Sequence, residues 1–320
     1  MESFFQSFPI WLNLVVFAAG VGAVIKGAEW FTDGTVGIAD ATGVPKIFIG
    51  ATIVSLATTS PEMSVSYIAA LLNRPATSVG NAVGSTVCNI GLILSLAALI
   101  QPVKVPRTIG MVQGFSMIAA GAAVAALGWD GGLGRWNGLL LLVGAGVYLW
   151  VMLRQSGWGN GEPAPETAPS DWGPTVRHFI AGGGCVAGGS VLIVQNAAVL
   201  AHAAGVSELV IGLTLVALGT SLPEFVTAIS SSLRGHGDIA VGNVIGANVL
   251  NLTLVLGGAS TILPMDIERQ LFALEFPVMG VLMALVVFLA VSRGRIGRRG
   301  GAIFFSIYLI YLVLLTVYYL

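Results

Sequence analysis

Two glutamates lie inside long apolar stretches of this sequence, each directly after a proline and a run of hydroxyls. The strings are Thr58-Thr59-Ser60-Pro61-Glu62 and Thr220-Ser221-Leu222-Pro223-Glu224. A proline within a helix removes one N–H donor, and its ring crowds the carbonyl four residues back. Those carbonyls belong to Ala57 and Gly219, so each helix should kink or unwind there. Thr58 and Glu62 stand one turn apart on one helix face, as do Thr220 and Glu224. Each string therefore offers a carboxylate, hydroxyls and loosened backbone carbonyls to one place. This is a hard-oxygen donor set. It suits Ca2+, which takes six to eight oxygens in flexible geometry, and Na+ can use the same groups. Soft metals would call for imidazole or thiolate. The three histidines, His178, His202 and His236, sit at helix ends or in loops, and Cys88 has no ligating neighbour.

An acid at the centre of a membrane span costs about 2.5–3.5 kcal/mol on insertion scales. Two facing acids repel unless a cation or a proton lies between them. A single glutamate could be a protonated packing residue, but two at matching positions argue for a site. Asn81, Ser85 and Asn89 fall at i, i+4 and i+8 and form one polar stripe; Asn243, Ala247 and Asn251 form its counterpart. Helix–helix hydrogen bonding is the competing reading of these amides, stronger for Asn81 and Asn243 than for Asn89 and Asn251. The pairs Gly80/Gly84 and Gly242/Gly246 let neighbouring helices approach closely.

The elements that hold these residues follow from composition. Of 320 residues, 56% are hydrophobic and only 9% charged, against about 25% charged in an ordinary soluble domain. Apolar runs of bilayer length, about 20 residues, recur along the chain. They predict an all-α polytopic membrane protein with spans near 9–32, 44–72, 79–101, 108–128, 134–154, 177–203, 206–233, 239–262, 271–292 and 300–319. Net charge is −1, which argues against a nucleic-acid partner. Cys88 and Cys185 lie inside apolar runs and read as buried small residues rather than a disulfide. The Gly- and Pro-rich stretch 155–174 reads as a solvated linker. Placing the N-terminus outside puts eleven Lys and Arg residues inside and three (Arg74, Arg135, Arg269) outside. That balance predicts a cell-membrane protein with both termini outside and the linker in the cytoplasm. Lys26, Glu29 and Asp33 read as an interfacial ion-pair face. Asp266 and Glu275 read as exposed charges at span ends.

Residues 43–102 align without a gap to 205–264 at a constant offset of 162, with 22 of 60 paired positions identical. Five spans separate the copies, so they enter the membrane from opposite faces. The reading is two inverted-topology five-helix repeats, 1–154 and 175–320, joined by the linker into one transport unit. Secondary transporters place their substrate and ion sites at such a repeat junction.

The strings GATIVSLATTSPE…GNAVGSTVCNIGLIL and GLTLVALGTSLPE…GNVIGANVLNLTLVLG resemble the two conserved repeats of the sodium/calcium exchanger (cation/calcium antiporter) superfamily, especially its compact prokaryotic members. The resemblance covers about 120 residues, and the ten-span layout with the N-terminus outside matches as well. It implies a Ca2+/Na+ antiporter, not an enzyme, working by alternating access, with no cofactor and no obligate protein partner beyond the lipid bilayer. It implies that Glu62 and Glu224 bind Ca2+ and Na+ competitively. Thr58, Thr59, Thr220 and Ser221 would line flanking Na+ positions, and Ser85, Asn89 and Asn251 would complete the ring. Asn81, Asn243 and Ala247 would stand at its edge. Spans one and six would slide over the remaining eight, the glycines of span six making a smooth sliding face. Three departures stand out: Thr59-Ser60 replaces the usual Ser-Leu, Ala247 replaces a common serine, and Asn251 stands where some members carry Asp. A Ca2+/H+ antiporter is the alternative within the class, and a passive cation channel the alternative outside it. An intramembrane hydrolase would need a base near Ser60, Ser85 or Ser221, and neither His nor Lys is there.

Overall fold

The computed structural model describes residues 8–105, 107–157, 172–203 and 217–319. Residues 158–171, most of the expected linker, and residues 204–216, which open the second repeat copy, lie outside the described residues. Apart from two-residue bridges the secondary structure is helical: α1 (Ile10–Thr42), α2 (Lys46–Thr58), α3 (Ser60–Leu71), α4 (Pro75–Ile100), α5 (Arg107–Leu127) and α6 (Arg135–Gln155). Then follow α7 (Gly173–Ala203), α8 (Ala217–Thr220), α9 (Leu222–Leu233), α10 (Gly237–Ile262), α11 (Arg269–Ala273), α12 (Glu275–Arg293) and α13 (Arg298–Tyr319). Among the described residues, eight of these helices are long and apolar enough to cross a membrane.

Two expected spans are broken where the prolines stand. The stretch 44–72 divides into α2 and α3 at Thr59 (φ −76°, ψ −7°). The stretch ending at 233 divides into α8 and α9 at Ser221 (φ −90°, ψ 9°). Each break is a single residue wide, so the chain keeps its direction while one backbone hydrogen bond is lost to the proline. In the first break the Ser60 hydroxyl donates to the carbonyl of Ala57 at 2.7 Å. That carbonyl, expected to be free, is capped; Leu222 occupies the matching place in the second break and has no hydroxyl to offer.

Among the described residues, three helices carry a π-helical turn: Gly50–Val54 in α2, Asn89–Leu94 in α4 and Asn251–Val255 in α10. Such turns widen the ladder and gather at functional sites. Tyrosines satisfy carbonyls in two of them: Tyr148 donates to Ala51 O at 3.0 Å and Tyr67 to Leu254 O at 3.0 Å. With no water in a bilayer core to take these carbonyls, a side-chain donor holds each one.

Glycines set where helices meet. A Cβ on Gly242 would fall 2.2 Å from Ile47 O, and one on Gly246 would fall 2.5 Å from Ala51 O, so α10 packs backbone to backbone on α2. The related Gly80 and Gly84 meet nothing within 4 Å among the described residues. A second seam joins α1 to α7. Gly34 lies against the Phe179 backbone, Gly182 against the Phe31 backbone, and Gly189 against Gly20. The glycines Gly182 and Gly189 thus fasten α7 to α1 instead of forming a sliding face toward the rest. Gly183, beside the Phe31 ring, and Gly184 line the cavity described below.

Helix α1 runs 33 residues, about 50 Å at 1.5 Å per residue, and ends at Gly43 in the left-handed region (φ 70°). It does not stop at residue 32 as expected. Lys26 and Glu29 pair at 2.6 Å on its surface, while Asp33 bonds Arg234 at the end of α9. Asp266 is exposed, but Glu275 is buried in the first turn of α12, where backbone N–H groups favour a carboxylate. Cys88 is buried, Cys185 is half-buried, and both are free thiols. Two short antiparallel bridges cross between distant segments, one at each end of α5. Val103–Lys104 pairs with Arg295–Ile296, and Gly132–Leu133 pairs with Met265–Asp266.

Candidate functional site

The breaks at Thr59 and Ser221 start α3 and α9, each with its glutamate in the first turn. Glu62 and Glu224 are both fully buried. Each receives a hydroxyl from the opposite break. Ser221 donates to Glu62 Oε1 at 3.2 Å, and Thr59 donates to Glu224 Oε1 at 3.5 Å. The exchange repeats one residue earlier. Thr58 donates to Asn243 Oδ1 at 3.1 Å, and Thr220 donates to Asn81 Oδ1 at 3.2 Å. Ser85 joins through Ser221, the two hydroxyl oxygens lying 3.1 Å apart. These contacts bring nine of the expected residues together, and Asn89 and Asn251 lie on the same helices as Ser85 and Asn243.

The remaining carboxylate oxygens, Glu62 Oε2 and Glu224 Oε2, are buried and have no hydrogen-bond partner among the described residues. Neither do Asn89 Oδ1 nor both amide atoms of Asn251. Buried polar atoms are nearly always satisfied, so a group of orphan oxygens around two acids is a place where a cation fits. Among the described residues no three His, Cys, Asp or Glu side chains gather. The charged part of the donor set is two carboxylates, and neutral oxygens supply the rest.

The two sides of the cluster are not equal. Asn81 donates to Glu62 O at 3.1 Å and to Ser66 Oγ at 2.9 Å, so its amide is fully engaged. Ala228 matches Ser66 in the second copy, and Asn243 Nδ2 is correspondingly buried without a partner among the described residues. Ala247 is buried and brings no hydroxyl where Ser85 does. Asn81 and Asn243 are therefore bridges between the halves, with Thr220 and Thr58 as their donors.

Two participants escaped sequence reasoning. Asn248 accepts from Asn89 Nδ2 at 3.0 Å, and Ser66 holds Asn81. Both fall where the repeat copies differ, opposite Thr86 and Ala228, so comparing the copies hides them. Beside the cluster lies a cavity of about 300 Å³. Thr58, Ser60 and Pro223 line one wall, and Phe31, Phe179, Gly183 and Gly184 of the α1–α7 pair line the other.

The sequence profile of the sodium/calcium exchanger protein family matches residues 12–154 and 176–317. The chain belongs to this family. It is 33% identical over 283 residues to the inner membrane protein YrbG of Escherichia coli, covering 85% of this chain and 87% of that protein. It is 26% identical to the sodium/calcium exchanger MaX1 of Methanosarcina acetivorans, covering 96% and 99%. Among solved structures, it superposes on the sodium-calcium exchanger NCX_Mj, soaked with 10 mM Na+ and zero Ca2+, with a TM-score of 0.87 and 30% identity, covering 95% of this chain and 99% of that one. The members of this exchanger family are transporters and membrane proteins. That matches the eight apolar helices here.

Proposed function

We propose that the chain is a secondary antiporter that exchanges Ca2+ for Na+ by alternating access. Its unit is ten membrane spans in two inverted five-helix repeats, 1–154 and 175–320, joined by the linker 155–174. It sits in the cell membrane with both termini outside. The broken pairs α2–α3 and α8–α9 count as one span each in this reading. Glu62 and Glu224 would share a Ca2+, with Thr58, Thr59, Thr220, Ser221, Ser85, Asn89 and Asn251 contributing oxygens to Ca2+ or to Na+ bound in its place.

One observation carries the reading: the hydroxyl of each break reaches the glutamate of the other. A donor set assembled from both halves changes whenever the halves shift, and competition for shared carboxylates couples the two cations. Hydroxyls and amide oxygens serve Na+ well and carry protons poorly, which favours Na+ over H+ as the counter-ion. The cavity between the break and the α1–α7 pair gives a cation a way to the site without passing lipid. The glycine seam that fastens α1 to α7 supports their moving as one body.

Proteoliposomes test this directly. Na+-loaded vesicles diluted into Na+-free medium should take up 45Ca2+, and dissipating the Na+ gradient should stop it. Uptake driven by a pH gradient alone would replace Na+ with H+. Ca2+ flux that needs no counter-ion would make the protein a channel.

A further inference from the structure

Asn248 lies at the centre of α10 with its side chain fully buried, and both ends of its amide are assigned by neighbours. Its Nδ2 donates to the thioether of Met117 on α5 at 3.7 Å. A thioether sulfur accepts and has no hydrogen to give, so the nitrogen end of Asn248 must face Met117. Its Oδ1 then faces α4, where it accepts from Asn89 Nδ2 at 3.0 Å. Asn89 in turn is left with one free end. Its Oδ1 is buried and has no partner among the described residues. Asn89 follows Ser85 by one turn on the same face, and Ser85 touches Ser221 beside Glu62.

We infer that Asn248 is a positioning residue that turns the Asn89 amide so that its oxygen, not its nitrogen, is presented to the transported cation. The inference rests on the proposed role of Asn89 as a cation ligand. Outer partners commonly fix the orientation of the groups that touch a metal, and for an amide the stakes are high. A half-turn would place two N–H donors where a Ca2+ needs an acceptor. The chain Met117–Asn248–Asn89 excludes that half-turn by giving the nitrogen somewhere better to go.

Asn251, the counterpart of Asn89, has no such device among the described residues. Thr86 stands opposite Asn248 in the repeat, and its hydroxyl folds back on Ala82 O at 2.8 Å within its own helix. Asn251, the counterpart of Asn89, accordingly keeps both amide atoms without partners among the described residues. The site thus holds one fixed oxygen and one adjustable amide, an asymmetry that suits a pocket required to take cations of different charge in turn.

The test uses the full chain in Na+-loaded proteoliposomes, measuring 45Ca2+ uptake against Ca2+ concentration. Asn248→Leu keeps the shape and removes the acceptor; it should raise half-saturating Ca2+ about tenfold with the maximal rate within twofold. Asn248→Asp keeps an accepting oxygen in place and should stay within about threefold of the parent. In the Asn89→Ala background, Asn248→Leu should add nothing, because its effect passes through Asn89. Equal damage by Leu and Asp, or full additivity with Asn89→Ala, would overturn the inference. A normal Asn248→Leu beside an impaired Asn89→Ala would overturn it alone, whereas an unimpaired Asn89→Ala would remove the ligand role beneath it. Should Asn248→Leu fail to fold, Met117→Leu frees the same amide from the other side. It should raise half-saturating Ca2+ about threefold, and an unchanged value there counts against the inference.

Discussion

Ser221 bonds Glu62 across the junction of the two halves, at 3.2 Å, and among the described residues no side chain of Glu62's own half bonds its carboxylate. Its repeat counterpart Thr59 does the same for Glu224. The residue ahead of each new helix has ψ near 0° (Thr59 −7°, Ser221 9°) instead of the usual helical value of about −42°, and its hydroxyl points across. The proline break in each helix thus coincides with the crossed donor. Neither half can complete its glutamate alone, which makes the site a measure of whether the halves are docked.

The glutamates carry the first prediction. Glu62→Gln and Glu224→Gln keep the size and one accepting oxygen but remove the charge that a divalent cation needs. Each should cut Na+-driven 45Ca2+ uptake by at least about 100-fold, a loss of roughly 2.8 kcal/mol at about 1.4 kcal/mol per decade. Both variants should remain monodisperse in detergent, since a neutral amide is easier to bury than an acid. Normal transport by both would dismiss the paired-carboxylate site.

Which parts of this were legible beforehand follows from what each signal can express. Acids and hydroxyls in apolar runs stand out because burying them is costly, and their recurrence at a fixed offset located Glu62, Glu224 and their hydroxyl neighbours. A repeat reports only what its copies share. Asn248 and Ser66 replace a threonine and an alanine, so the offset passed over them although they hold Asn89 and Asn81. Hydropathy ended the first span at residue 32 because Glu29, Asp33 and the glycines beyond it look like an interface. The helix continues because Gly34 packs on Phe179 and Asp33 finds Arg234, contacts that no local window contains. The glycines of α7 were visible as a group, but composition does not say which neighbour each one faces.

Backbone contact at Gly242 yields a stability prediction. A methyl there would meet Ile47 O at 2.2 Å, and neither backbone can yield without moving α2 or α10. Overpacking of this kind costs about 1–3 kcal/mol. Gly242→Ala should lower the thermal unfolding midpoint in detergent by several degrees. Gly280→Ala, on a face of α12 with nothing within 4 Å, should hold or slightly raise it, because alanine favours the helix by about 1 kcal/mol. Equal midpoints for the two variants would contradict the packing described.

A third prediction concerns pH and lies outside the spans, in the turn between α9 and α10. Burial pushes the His236 imidazole below its ordinary 6.5, and Lys46, whose Nζ lies 3.4 Å from Nδ1, pushes it the same way. Arg234 adds to this, while Asp238 and Asp40 oppose it. In the window between the lowered folded value and 6.5 the unfolded chain binds the proton more readily, so stability rises with pH there. Acidification through that window should lower the unfolding midpoint, and His236→Asn should flatten this part of the curve. A parallel pH dependence in parent and variant would assign it to other groups.

The last prediction tests the unequal sides of the site. Ser85 stands 3.1 Å from Ser221 on one side, while Ala247 occupies the matching position of the second repeat copy. Thr59 reaches Glu224 only over 3.5 Å. Ala247→Ser adds an oxygen at that position without adding charge, and a further hydroxyl is a donor that Na+ uses fully. An added neutral hydrogen bond or ligand of this kind contributes about 0.5–1.5 kcal/mol. Half-maximal Na+ for driving Ca2+ efflux should therefore fall by about two- to tenfold, with half-saturating Ca2+ changing less. Ser85→Ala should move the Na+ dependence the opposite way. If Ala247→Ser leaves the Na+ curve where it was, the missing hydroxyl has no part in Na+ binding, and the two halves contribute to it through their shared residues alone.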